Sequence, residues 1–206
     1  MEETRKKKQN KMGIALMAAG LIMILAAGAL FLCNSMSDKK AGDTAQKLVE
    51  QVLEAADENA VIAVPAQDSE EKMPEVEIDG VKYIGIVSVP KLGVTLPVQA
   101  DWSLDKLKVS PCRYTGNLED GSMIICAHNY RSHFGRLGTL TAGDIVYFTD
   151  ANHLTYTYKV RYLEDIDRYD SDAMKAEGDW DMTLFTCTYN GRARVTARLI
   201  RTVEES

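Results

Sequence analysis

The chain has 206 residues, a formal net charge of −6 and four cysteines, a length that suits one domain with accessory segments. Residues 1–11 carry +3, residues 12–33 carry no charge, and the remainder carries −9. An acidic folded part excludes nucleic acid as a partner, because phosphate contacts need clustered lysine and arginine.

Met12 to Cys33 is an uncharged apolar stretch. Its 22 residues match the roughly 20 that a bilayer-spanning helix needs. The basic tail before it, with Arg5, Lys6, Lys7, Lys8 and Lys11, is expected to stay cytoplasmic, so the bulk of the chain faces outward. A cleaved secretory signal is the alternative. Such signals have a shorter apolar core, about 7–15 residues, and end in small residues, whereas this stretch ends Leu30-Phe31-Leu32-Cys33. Phe31 and Leu32 also argue against lipidation of Cys33, because lipoprotein signals place small residues there.

Residues 38–60 read as a helix, with Ala45, Leu48, Val49, Val52, Leu53 and Ala56 on one stripe. It serves as a stalk or lies on the domain. Residues 65–77 hold Pro65, Pro74 and five acids against the single Lys72, the composition of a solvated linker. The expected organisation is a cytoplasmic tail over 1–11, an anchor over 12–33, a helical stalk and acidic linker over 34–78, and a folded domain over 79–206.

Within that domain, β-rich runs fall at Tyr83–Val89, Val94–Val98, Ser122–Ala127, Asp144–Thr149, Leu154–Tyr162, Met182–Cys187 and Ala193–Ile200. A short helix is expected over 102–109, and a polar connection with a helical turn over 163–181. A turn at Asn190-Gly191 joins the last two strands. Seven or so short strands in about 125 residues predict a closed or nearly closed β-barrel.

Three side chains stand out for chemistry. Cys187 ends the apolar run Thr183-Leu184-Phe185-Thr186-Cys187 and enters a polar turn. A free cysteine is usually a buried apolar residue, but a strand end at a barrel rim presents its side chain outward. Three cysteines lie outside the anchor, an odd number, so at least one has no intramolecular bridge. No spacing supports a structural zinc site. His128 follows Met123-Ile124-Ile125-Cys126-Ala127, and alternation puts Ile124, Cys126 and His128 on one face. His133 and His153 sit in polar loops by comparison. Arg192, Arg194, Thr196 and Arg198 share a face of the last strand. One of these arginines is expected to point at the thiol, Arg194 first among them, with Arg192 and Arg198 as alternatives. Cys126 is read as a packing residue or as a bridge to Cys112 or Cys187. A thiol, an imidazole and a guanidinium together can attack a carbonyl, pass its proton and steady the resulting charge.

These residues resemble a known family. Thr183-Leu184-Phe185-Thr186-Cys187 is similar to the Thr-Leu-X-Thr-Cys signature of sortases, the membrane-anchored cysteine transpeptidases of Gram-positive bacteria. Ala127-His128-Asn129 resembles their histidine motif, Phe134–Leu140 resembles the segment after it, and Arg194 falls where the family places its arginine. His128-Asn129 and Thr186–Tyr189 look like class B members, whereas Phe134–Leu140 looks closer to class D. Residues 163–181 leave room for only a short version of the helical insertion that class B members often carry.

The resemblance implies an eight-stranded sortase-type barrel over roughly residues 80–203. It implies that Cys187 attacks the Thr carbonyl of a sorting signal similar to Leu-Pro-X-Thr-Gly, that His128 is general acid and base, and that Arg194 holds substrate and oxyanion. It gives Thr186 a place lining the site. It requires no cofactor and no metal. Its partners are sorting-signal-bearing surface proteins or pilins, an amine on a cell-wall precursor, and the membrane. Two other readings compete: a cysteine peptidase that hydrolyses the same intermediate, and an anchored β-barrel that only binds a partner, with Cys187 structural.

Overall fold

The structure is a computed structural model that describes residues 2–62, 73–188 and 191–202. Helix α1, Glu2–Ile62, opens the chain. Residues 1–39 and 40–206 form separate compact units. In the first, the side chains described from Gly13 onward are nearly all exposed. The segment Gly13–Asp57 holds the one stretch among the described residues that is long and apolar enough to cross a membrane.

In the second unit, the later turns of α1 bury Ala41, Ala45, Val52 and Ala56. These recur at four- and seven-residue spacing, the period of one helical face. Val52 and Ala56 meet Val76, Tyr83, Ile86 and Ala151 in one apolar cluster, and Ala45 joins the main core. Leu53, expected on the same stripe, instead points to solvent. Of the expected linker, residues 65–72 lie outside the described residues.

The strands are β1 Val76–Ile78, β2 Val81–Val89, β3 Val94–Gln99, β4 Cys112–Thr115, β5 Met123–Ala127, β6 Ile145–Asp150, β7 Thr155–Asp167, β8 Met182–Cys187 and β9 Ala193–Arg201. Their order is β1-β2-β3-β4-β5-β8-β9-β7-β6, and β2 also pairs with β6. That last pairing closes β2 to β9 into an eight-stranded barrel, and β1 adds a short hairpin to the start of β2. The turn Asp79-Gly80 has positive φ at both positions, the requirement of a type I′ hairpin. The β3–β4 and β5–β8 pairs are parallel and the others antiparallel.

Alternation sorts the strands into two surfaces. Met123, Ile125, Met182, Leu184, Ala197 and Leu199 fill the barrel interior. Ile124, Cys126 and Phe185 face outward, yet are buried in a smaller cluster with Cys112, Ile166 and Met174. Met174 comes from α2, Ser171–Lys175, whose first turn is capped by the Asp170 carboxylate accepting from the Ala173 N–H.

Three sequence expectations shift. The barrel gains β4, four residues after Pro111 with no alternating pattern to announce them. The strand expected to end at Tyr162 runs to Asp167, because Glu164 and Asp165 pair with Thr196 and Val195 of β9 and that pairing overrides poor strand propensity. The helix expected over 102–109 is a single 3-10 turn, Lys106–Lys108.

Closure depends on Gly85. Its φ is +145°, and a Cβ there would stand 2.1 Å from the Thr149 carbonyl oxygen of β6. Gly85→Ala is therefore expected to destabilise the fold by at least about 3 kcal/mol, read as a lower urea midpoint.

Candidate functional site

The site is built by register. The parallel β5–β8 pair places Ala127 against Thr186, so one step further brings His128 beside Cys187. The antiparallel β8–β9 pair places Cys187 directly against Arg194. Adjacent strands lie about 4.8 Å apart, and the two-residue period turns all three side chains to the outer face. Register thus sets His128, Cys187 and Arg194 in one row across three neighbouring strands, at the ends of β5 and β8.

A tight turn holds the row together. The Thr188 N–H donates to the Ala193 carbonyl at 2.9 Å, the Thr188 hydroxyl donates to the same oxygen, and the Gly191 N–H returns to the Thr188 carbonyl. Few residues separate Cys187 from Arg194, and their pairing is set by ladder hydrogen bonds.

Cys187 is exposed, whereas Cys112 and Cys126 are buried, and all the described cysteines are free thiols. Burial pushes Cys112 up to about 12 and raises Cys126 further, its Sγ facing the Cys112 carbonyl at 3.5 Å. Neither can supply a thiolate near neutrality. Cys126 is thus a packing residue opposite Cys112.

His128 is half-buried, and desolvation holds its pKa below the ordinary histidine value. A side-chain hydrogen bond with Asn129 works against this shift, and the Lys108 charge adds to it. The imidazole is therefore mainly neutral at pH 7 and able to accept the Cys187 proton. Its Nδ1 is buried without a hydrogen-bond partner among the described residues, and so is Arg194 Nη1. Unsatisfied buried polar atoms are rare and mark function or strain. Other side chains of the chain carry such atoms too; these two belong to the residues that flank Cys187 in register. The Arg194 guanidinium also lies over the Phe185 ring, 5.6 Å from its centroid, which holds its apolar stem against the sheet.

The three candidate arginines separate. Arg192 is exposed. Arg198 is 1% exposed and bonded to Glu164, Thr183 and the Ala173 and Met174 carbonyls, with Trp180 stacked on it at 4.4 Å. It fastens α2 to the barrel. Arg194 alone of the three stands opposite Cys187.

Thr186 is buried on the interior face, where its hydroxyl donates to the Ala127 carbonyl at 2.9 Å. It ties β8 to β5 one residue before both His128 and Cys187. His133, expected in a polar loop, is fully buried. Its loop turns inward because Phe134 and Leu137 enter the main core. The neighbours Phe185 and Tyr130, two residues from Cys187 and His128, were not singled out from the sequence. The two-residue alternation that placed Ile124 and Cys126 carried the same information for Phe185.

The Sortase domain family profile matches residues 87–205, more than half of the chain. The chain belongs to the sortase family, whose members are cysteine transpeptidases. Among solved structures, Streptococcus pneumoniae sortase C is similar with a TM-score of 0.54 and 19% identity, over 82% of this chain and 95% of that one. The Clostridium perfringens sortase D5 transpeptidase gives 0.56 and 20%, over 77% and 99%. Clostridium perfringens sortase C, solved with the C-terminal cell wall sorting motif, gives 0.53 and 21%, over 82% and 97%. At these identities the likeness is one of fold. No curated protein sequence matches the chain.

The depressed pKa of His128 has a sign that can be checked. The unfolded chain binds a proton at His128 more readily, so this contribution to stability is complete above about pH 6.5 and is lost as the pH falls through the lower folded-state value. Urea titrations should therefore show a smaller loss of stability between pH 7 and pH 5 in His128→Gln than in the unsubstituted chain.

Proposed function

We propose that this chain is a membrane-anchored sortase that cleaves a sorting signal similar to Leu-Pro-X-Thr-Gly between Thr and Gly and passes the acyl group to an amine. The observation that carries this reading is the row of His128, Cys187 and Arg194 across three paired strands. The apolar stretch of α1 spans the membrane, the basic tail lies on its cytoplasmic side, and residues 34–78 lead to a catalytic domain over 79–206 outside the cell.

The chemistry runs in two halves. His128 takes the thiol proton, and the Cys187 sulfur attacks the Thr carbonyl carbon. The carbonyl oxygen becomes negative as the C–S bond forms, and the Arg194 guanidinium, with its free Nη1–H, stabilises it. The C–N bond then breaks, and the proton held on His128 goes to the departing glycine amine. A thioester remains. In the second half His128 takes a proton from an incoming amine, which attacks the thioester carbon, and the Cys187 thiolate leaves. The acceptor is an amine of a cell-wall precursor or a pilin lysine. Thr186 contributes by keeping the histidine and cysteine strands in step.

The test incubates the chain with a panel of sorting-signal peptides and reads Cys187 by mass spectrometry. A stable acyl mass on Cys187, absent in Cys187→Ala, is the expected result. Adding an amine such as oligoglycine should yield ligated product; release of free acid alone would favour the peptidase reading. An unreactive thiol, with a fold that fails in Cys187→Ala, would favour a binding module. Arg194→Ala should lower kcat/KM by roughly 10²–10³ with little change in melting temperature, because Arg194 is not buried in the core.

A further inference from the structure

We propose that Tyr130 is a positioning residue for His128: its phenol ring stacks on the imidazole and, backed by buried His133, holds that ring in the plane that serves Cys187. This rests on the reading of His128 as acid and base.

The rings of His128 and Tyr130 lie with centroids 4.0 Å apart and planes 17° from parallel. Tyr130 in turn meets His133 edge-on, at 5.5 Å and 65°. The imidazole is thus the first of three packed rings, and the last is fully buried. The backbone behind them is pinned. The Tyr130 carbonyl accepts from the N–H groups of His133 at 3.0 Å and Gly135 at 2.8 Å, and the Phe134 N–H points back to the His128 carbonyl. A Cβ on Gly135 would stand 2.4 Å from the Asn129 oxygen and 2.6 Å from the Tyr130 oxygen, so the loop closes this tightly only with glycine. Phe134 and Leu137 anchor it in the main core.

Such a support has a physical task. The second torsion of histidine is broad, and the strand register fixes only where the His128 backbone lies. A half-buried imidazole with an unbonded Nδ1 has few hydrogen bonds to orient it. A parallel aromatic face removes that freedom at little further entropic expense. It also presents π-electrons to the ring when it carries the proton between sulfur and amine. Of the charged groups, Lys108 from the 3-10 turn before β4 acts on both rings, and register sets Cys187 of β8 and Arg194 of β9 across from the end of β5.

The test compares Tyr130→Phe, which keeps the ring, with Tyr130→Leu, which fills similar volume without a flat face, and with His128→Ala, all in the full-length chain. Iodoacetamide is the probe, with carboxamidomethylation at Cys187 followed by mass spectrometry at pH 7, and the peptide found to acylate Cys187 supplies kcat and KM. Tyr130→Phe should stay within about three-fold of the unsubstituted rate. Tyr130→Leu should lose roughly 10- to 100-fold in kcat, with KM within about two-fold and slower alkylation. Histidine NMR should show the His128 midpoint moving in Tyr130→Leu and not in Tyr130→Phe. Equal activity of the Leu and Phe variants overturns the proposal, as does equal damage in both, which would assign the work to the phenol hydroxyl. If His128→Ala alkylates and turns over normally, the acid–base reading itself fails. A silent Tyr130→Leu beside an inactive His128→Ala defeats the stacking role alone.

Discussion

Parallel pairing of β5 with β8 is the constraint on which the site depends. Parallel strands end on the same side of a sheet, so the residues that follow their last apolar positions leave the barrel together. His128 and Cys187 are those residues. Antiparallel pairing of β8 with β9 then brings Arg194 back to the same level. A slip of one residue in either ladder would send one side chain of the row to the barrel interior. The Thr186 hydroxyl bond to Ala127 and the Thr188 turn guard both ladders close to where they end.

The outer face of these strands is treated differently along its length. Near Cys187 it is open. Four residues earlier on β8, at Thr183, it is covered by α2 and sealed by Arg198, whose guanidinium caps the last carbonyls of that short helix and pairs with Glu164. A cation suits the negative end of a helix. Arg194 and Arg198 lie on one face of one strand, but one has its donors engaged by protein while the other keeps a buried donor unbonded. The first stabilises the fold, and the second is the one that the proposed chemistry uses.

The helix that precedes the barrel also reaches the neighbourhood of the histidine loop. A Cβ on Gly42 would stand 2.9 Å from the Ser132 Cβ, and Ala41 and Ala45 are buried beside it. Small residues on that face let the helix backbone approach closely. The second unit is therefore a barrel with a helix packed on it, and the loop bearing Tyr130 lies where the two meet.

Much of this was legible in the sequence, because it follows from local rules. Alternation in Met123–Ala127 and Met182–Cys187 gave two apolar strands and the outward face of His128 and Cys187. The Thr-Leu-Phe-Thr-Cys run carried the family. Other features depended on distant partners. The last turn of β7 is a strand because β9 lies beside it, against the preference of its acidic residues. His133 is buried because Phe134 and Leu137 draw its loop inward. Alternation put Arg192, Arg194 and Arg198 on one face with Arg194 the first candidate, and only α2, Glu164 and Trp180, packed from elsewhere in the chain, made Arg198 interior, while register with β8 set Arg194 against Cys187. The sequence by itself determined most of the strands, their faces and the chemical groups they carry, because those follow from the period of an extended chain. The tertiary structure alone decided which strands are neighbours, and with them which groups meet, because pairing joins residues that the chain keeps some sixty positions apart.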